Sequence, residues 1–170
     1  MRSLRQIVGV LLALAGCGCA GYRLGPTNPA ATEGRTVQVR FFENQTLEPR
    51  LVGSVNQALR RVLQQDGSLK VRTHGDADLL LSGVIVSYDR LPLAFQPRDV
   101  ATVKDYEIRL RVKVKAVERL TRKAVLDREI SGRTTVRVGS DLASAERQGI
   151  PLLAEDLAKN ITALLAEGAW

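Results

Sequence analysis

The chain of 170 residues predicts an α+β fold. The expected form is a two-layer sandwich, with two helices packed on one face of a four- or five-stranded, mainly antiparallel or mixed sheet. Three observations carry this. Two stretches repeat their apolar residues at helical spacing, and at least four alternate with period two or run continuously apolar. The order of these patterns is β-α-β-β-β-β-α, which is neither a regular βα alternation nor all-β. Finally, 45% hydrophobic residues in a chain of single-domain length can fill one core.

The elements follow in order. Thr36 to Phe41 alternates, placing Val37, Val39 and Phe41 on one face of a strand. Asn44 to Glu48 reads as a turn. Pro49 suits the first position of a helix, since its missing N–H would be unpaired there anyway. Leu51, Val55, Ala58, Leu59 and Val62 then share one helical face. Gly67 after Asp66 can take the left-handed conformation that closes a helix. Leu69 to Arg72 is a short strand, and Asp78 to Arg90 a long one. The latter is apolar on both sides around Leu80–Val86, so it should be central. Pro92 and Pro97 mark Leu91 to Lys104 as a loop.

Tyr106 to Val117 is the clearest strand. Tyr106, Ile108, Leu110, Val112 and Val114 point one way, while Glu107, Arg109, Arg111, Lys113 and Lys115 point the other. Thr121-Arg122-Lys123 turns the chain, and Ala124 to Val138 returns as the hairpin partner. Asp141 to Gly168 is helical, with Ile150, Leu153, Ala154, Leu157, Ile161, Leu164 and Leu165 on one stripe. Pro151 should kink this helix or mark where its main part begins. With both helices on one side of the sheet, the charged side of the Tyr106–Val117 strand is wet or meets a partner.

The first residues differ from the rest. Arg2 and Arg5 precede an apolar run, Ile7 to Ala15, broken only by Gly9. The run is shorter than the ~20 residues a membrane-spanning helix needs and has the shape of a secretory leader. Leu14-Ala15-Gly16-Cys17 resembles the bacterial lipobox, in which cleavage precedes an acylated cysteine. Two or three acyl chains on one residue anchor firmly where one is marginal. The expected organisation is a signal peptide over 1–16, a lipidated N-terminus and tether over 17–34, and a single domain over 35–170. Removing residues 1–16 takes two arginines and no acid, so the net charge falls from +7 to +5. Gly16, Gly18 and Gly21 spell a dinucleotide-binding pattern, but Pro26 blocks the helix such a site requires. Cys19 cannot pair with an acylated Cys17, so no internal disulfide framework is expected.

Several of these features together resemble the lipopolysaccharide-assembly lipoprotein family (LptE). They are the lipobox followed by Gly21-Tyr22-Arg23-Leu24; Val37, Val39, Phe41, Asn44 and Thr46 ahead of a helix; Ala77-Asp78 leading into an apolar strand; and the terminal helix. Gly18-Cys19 ahead of Gly21-Tyr22 departs from the pattern and affects only tether length. The resemblance implies a non-enzymatic outer-membrane lipoprotein on the periplasmic face. Its partners would be the β-barrel protein of the lipopolysaccharide translocon, which it plugs and helps to fold, and lipopolysaccharide itself. An auxiliary lipoprotein of another envelope lipid transporter or of a cell-wall synthase is the alternative.

The residues agree on chemistry. Among 170 residues there is one histidine, His74, beside Gly75 in a stretch that reads as an exposed loop, and no HExxH, GxSxG or phosphate-loop spelling. No catalytic site, metal or cofactor is expected. The basic balance raises nucleic acid as a partner, but export and 4% aromatic residues argue against it, since single-strand binders use aromatic platforms. Asn44-Gln45-Thr46 and Asn160-Ile161-Thr162 read as a turn and a helix surface. Cys17 is the expected lipidation site. Arg109, Arg111, Lys113 and Lys115 leave one face at ~6–7 Å intervals. Either Asp127 and Glu129 on the hairpin partner neutralise this ladder, or it meets phosphates of lipopolysaccharide or acids of the barrel.

Overall fold

The computed structural model describes residues 34–96, 99–139 and 141–167. The signal peptide, Cys17, the Gly21-Tyr22 motif and the tether expected from the sequence lie outside them. Six strands and two helices follow one another: β1 (Thr36–Val39), β2 (Glu43–Asn44), α1 (Arg50–Asp66), β3 (Lys70–Val71), β4 (Leu79–Gln96), β5 (Asp99–Glu118), β6 (Ala124–Arg137) and α2 (Leu142–Ala166). The sheet runs β3-β1-β4-β5-β6, with β2 also on β4. It is mixed. β3, β1, β2 and β4 pair parallel, while β4, β5 and β6 are antiparallel. The α+β sandwich read from the sequence is the fold observed.

β1 and β2 occupy successive stretches of the same edge of β4, opposite Leu79–Leu81 and Val84–Ile85. Between them the backbone steps off the ladder. Arg40 N donates to Leu81 O at 2.9 Å and Gln45 N to Ile85 O at 3.0 Å. That step corrects the expected alternation. Phe42, 2% exposed, enters the core, whereas Phe41 is 72% exposed beneath the Arg60 guanidinium, 5.4 Å from its ring centroid. Gly83 makes room for Phe42, whose ring fills the space a Cβ there would take.

The second correction concerns 91–104, expected as a loop. Beyond Ile85, β4 and β5 continue as one long antiparallel hairpin to Gln96 and Asp99. Pro97 lies outside the described residues, and Pro92 misled because proline forbids a central strand, not an edge one. Past Asn44, β4 has only β5 beside it, and register shifts around Ala94 accommodate Pro92.

α1 and α2 lie together on one face. Leu51, Val55, Ala58, Leu59, Val62 and Leu63 of α1, and Ile150, Leu153, Ala154, Leu157, Ile161 and Leu165 of α2, are buried. They meet Val37, Val39, Leu79, Leu81, Ile85, Ile108, Leu110, Val112 and Val114 from the sheet. Leu59 and Leu157 are both fully buried. α2 starts at Leu142, where Asp141 Oδ1 accepts from Ser144 N at 2.7 Å, an N-cap that satisfies one orphan donor. It then runs through Pro151 without ending, so Pro151 does not mark its start. At the far side of the sheet, α2 also covers the free edge of β6. Asn160 Nδ2 donates to Ser131 O, and Arg133 N donates to Asp156 Oδ2, both at 2.9 Å. These contacts cap the middle of the edge, where an open row of backbone groups would otherwise invite another chain.

Candidate functional site

With both helices on one side, the other side of β4-β5-β6 is open, and it carries the basic ladder. Strand alternation and register place Ser87, Asp89 and Leu91 of β4 beside Arg111, Arg109 and Glu107 of β5. On the other flank, Asp127, Glu129, Ser131 and Arg133 of β6 stand opposite Lys115, Lys113, Arg111 and Arg109. The one register shift between β5 and β6 falls between Ala116 and Val117, so the ladder itself is in uninterrupted register. Arg128 pairs with Val114 on the helix side and is solvent-exposed there.

The ladder is partly neutralised. Lys115 Nζ is 3.4 Å from Asp127, the cross-strand pair expected. Glu129 lies diagonally across from Arg111, at 3.6 Å, and not on Lys113, the residue opposite it. Arg111 Nε donates to Ser87 Oγ at 2.8 Å and lies 3.7 Å from Asp89. Arg109 turns along its own strand to Glu107 at 2.6 Å. Among the described residues, Lys113 has no ion-pair partner.

Arg109 faces Arg133 directly across the β5-β6 ladder. Like charges in that position repel, and no carboxylate is paired with the Arg133 guanidinium among the described residues. The two arginines, with Arg111, Glu129, Ser131, Asp156 and Asn160, line a cavity of about 500 Å³. Sequence reasoning missed Arg133. The signal was register, since Arg133 belongs to the site only once Lys115 is known to stand opposite Asp127.

A second charged cluster lies behind the sheet, on the helix side. Glu146 of α2 is only 4% exposed. Its carboxylate accepts from Arg90 and, at 3.0 Å, from the Tyr88 hydroxyl, with Arg50 of α1 at 3.8 Å. The Arg50 guanidinium in turn donates two hydrogen bonds to Glu48, at 2.6 and 2.7 Å. Burial pushes the Glu146 carboxyl up, but hydrogen bonds from Arg90 and Tyr88 outweigh it and hold it below its ordinary range. Burial, then the bond to Glu146, raises the Tyr88 hydroxyl. The cluster ties α1, β4 and α2 together at one point. Its sequence signal was Glu146 itself, four residues before Ile150 and so on the apolar stripe of α2.

Other sequence features settle as structure. Asn44 Oδ1 accepts from Thr46 N at 3.0 Å and from Thr46 Oγ1 at 2.8 Å, while its amide donates to Glu48 O at 3.0 Å. That turn delivers the chain into α1. Asn44 and Asn160 thus both make side-chain hydrogen bonds to backbone, the first within its turn and the second from the helix to β6. His74 is solvent-exposed. Among the described residues, no group of three or more His, Cys, Asp or Glu could hold a metal ion, and no helix is long and apolar enough to cross a membrane.

The family model for lipopolysaccharide assembly (LptE) matches residues 34–165. In three dimensions the chain is similar to a Xanthomonas campestris protein, at TM-score 0.61 and 12% identity over 86% of this chain and 91% of that one. It is similar also to a hypothetical protein of Chlamydia trachomatis, at 0.58 and 11% over 79% and 97%. A minor lipoprotein of Acinetobacter baumannii gives 0.51 and 14% over 78% and 93%. At these identities the likeness is one of fold. No curated protein matches the chain in sequence.

Proposed function

The chain belongs to the lipopolysaccharide-assembly (LptE) family, and from that premise we propose that it is a non-enzymatic outer-membrane lipoprotein serving lipopolysaccharide transport. It is anchored through an acylated Cys17 on the periplasmic face, and it acts as plug and chaperone of the β-barrel translocon. The open face of β4-β5-β6 is the working surface. Arg109, Arg111, Lys113 and Lys115, joined by Arg133, meet phosphates of the lipopolysaccharide headgroup or acidic groups of the barrel.

The observation that supports this reading most is the Arg109–Arg133 confrontation above an open cavity. Two guanidiniums held opposite each other are relieved by a divalent anion between them, and guanidinium forks match phosphate oxygens two at a time. The existing ion pairs do not block this. Exposed pairs of this kind are worth ~0–1 kcal/mol each, so Arg111 exchanges Glu129 and Asp89 for phosphate at little cost.

The experiment is a mild-detergent purification of the acylated protein from its membrane, with identification of what accompanies it. A large β-barrel protein together with lipopolysaccharide is the expected result. Recovery with a periplasmic transporter or a cell-wall synthase, and no barrel, would replace this reading with the auxiliary one.

A further inference from the structure

The two ends of the long sheet differ. At one end, β4 and β5 reach Gln96 and Asp99. At the other, the chain enters the fold beside the β5-β6 turn. Thr36 N and Oγ1 donate to Asp78 Oδ2 at 2.8 and 2.7 Å, and Asp78 N donates back to Thr36 Oγ1 at 2.9 Å. Arg119 N donates to Asp78 O at 2.8 Å, and Arg35 lies 3.4 Å from Glu118. Gly34 and Leu120 consequently line one cavity. Leu120, at the tip of the turn, is 89% exposed.

Beside it, on the open face of the sheet, lies a second concavity of about 410 Å³. Gln38, Leu80 and Val117 form its floor, with Arg40, Arg119, Arg122 and Asp76 around it. Asp76 is taken by an ion pair with Arg119. Arg40 and Arg122 have no ion-pair partner among the described residues. Arg122 is also held at φ 59°, a left-handed backbone that an arginine seldom adopts, so the turn fixes where it stands. The pocket lies about 20 Å along β5 from Arg111 and ~7 Å beyond Lys115, where the ladder ends, at 3.3 Å per residue, and shares no lining residue with the Arg109–Arg133 cavity.

We propose that this end of the domain docks on a bilayer surface carrying anionic phospholipid, with Arg40, Arg119 and Arg122 receiving headgroup phosphate and Leu120 lying among the headgroups. Charge complementarity supports it, and so does the path of the chain. Only sixteen residues separate Cys17 from Gly34. A random coil of sixteen residues would span ~22 Å root-mean-square. An anchor at Cys17 therefore keeps the Gly34–Leu120 end near the bilayer, while the β4-β5 tip lies ~55 Å further along the strand direction. This orientation rests on the proposed acylation of Cys17.

Two measurements separate the docking from the anchor. In the first, the acylated protein, its lipid confirmed by mass, is placed in vesicles of phosphatidylcholine with or without phosphatidylglycerol. Hydrogen exchange of residues 118–124 should slow several-fold only where phosphatidylglycerol is present, and the protection should vanish in high salt. Equal exchange in both lipids would overturn the proposal. A protein without acyl mass would overturn the anchor alone.

The second measurement needs no acylation. The full chain carrying Cys17→Ala is sedimented with phosphatidylglycerol vesicles, beside the same chain carrying also Arg40→Gln and Arg122→Asn. Asparagine tolerates the left-handed backbone, so the turn is kept, and the leader contributes equally to both. A basic residue near an anionic surface is worth about fivefold in affinity, so the doubly substituted chain should bind more than tenfold more weakly. Equal affinity, with unchanged circular dichroism, would show that this end does not touch lipid.

Discussion

Gly132 of β6 lies under α2, and adding a single methyl there is the sharpest test of how the two layers fit. A Cβ built on Gly132 would stand 2.7 Å from Leu157 Cβ, 2.8 Å from Leu157 N and 2.9 Å from Leu153 O. Two of these are helix backbone atoms, so no rotamer change relieves the contact. α2 must move outward by ~0.5–0.7 Å to restore ordinary separations. Asn160 and Asp156 fasten the same stretch of helix to Ser131 and Arg133, so the displacement also stretches two hydrogen bonds. Overpacking of this kind costs ~1–3 kcal/mol. The tether to β6 places Gly132→Ala at the upper end, about 2–3 kcal/mol. For a domain of this size that lowers Tm by ~7–11 °C. Gly83→Ala is the comparison: a Cβ there would stand within 2.7 Å of two atoms of the buried Phe42 ring and 3.0 Å from Lys113 O, so it too should be destabilising, but through the core side chain rather than through helix backbone. Thermal unfolding followed by circular dichroism measures both. A shift below ~1 °C for Gly132→Ala would mean that α2 does not approach β6 this closely.

Further consequences can be checked on the same protein. Leu59→Ala in α1 or Leu157→Ala in α2 removes a fully buried side chain and should cost ~2–5 kcal/mol in a urea melt; a negligible change would place the wrong helix face in the core. Glu146 is held below its ordinary value of 4.5, so its contribution is complete above that pH and is lost as pH falls through the folded value. Glu146→Gln should accordingly be less stable than the unsubstituted protein near neutrality and flatter on the acid side; parallel pH profiles would contradict the cluster. Cys17→Ala should abolish acylation, detected by the absence of acyl mass. Fractionation should place the unsubstituted protein in the outer membrane, since Gly18 is not the aspartate that commonly retains such lipoproteins in the inner one; recovery from the inner membrane would refute the sorting and leave acylation standing.

The parts of the fold that were legible in the sequence are those where one face is buried and the other wet. Tyr106–Val117 alternates because every second side chain meets a helix, and α2 shows its stripe for the same reason. Three features hide from such reading. At Arg40–Phe42 the backbone leaves the β4 ladder, so alternation predicts Phe41 inside and the fold buries Phe42. In β4 beyond Ile85, Pro92 looks like a strand terminator because its tolerance depends on whether another strand lies alongside, which is tertiary information. At the site, the ladder on β5 was visible as a pattern, but Arg133 joined it only through register. Arg109 pairs along its own strand with Glu107, and the carboxylates nearest Arg111, Asp89 and Glu129, are reached diagonally, so neither set follows from reading the residue opposite. Glu146 was legible in principle, as a charge on an apolar stripe. Its three partners come from β4 and α1 and could not be named beforehand.

The central claim is that the open face of β4-β5-β6 binds phosphate-bearing lipid. Its most direct test is lipopolysaccharide binding by the protein with Arg109 and Arg111 both reversed to glutamate, measured at several salt concentrations alongside thermal unfolding. Arg109 and Arg111 are at least part-exposed, so the substituted protein should fold, with Tm within a few degrees of the original. The unsubstituted protein should bind lipopolysaccharide less tightly as salt rises, since exposed charges are screened beyond ~10 Å at 0.1 M. The substituted protein should lose more than tenfold in affinity at low salt and most of that salt dependence. An intact fold with unchanged, salt-insensitive binding would contradict the claim and leave the ladder as solvated surface.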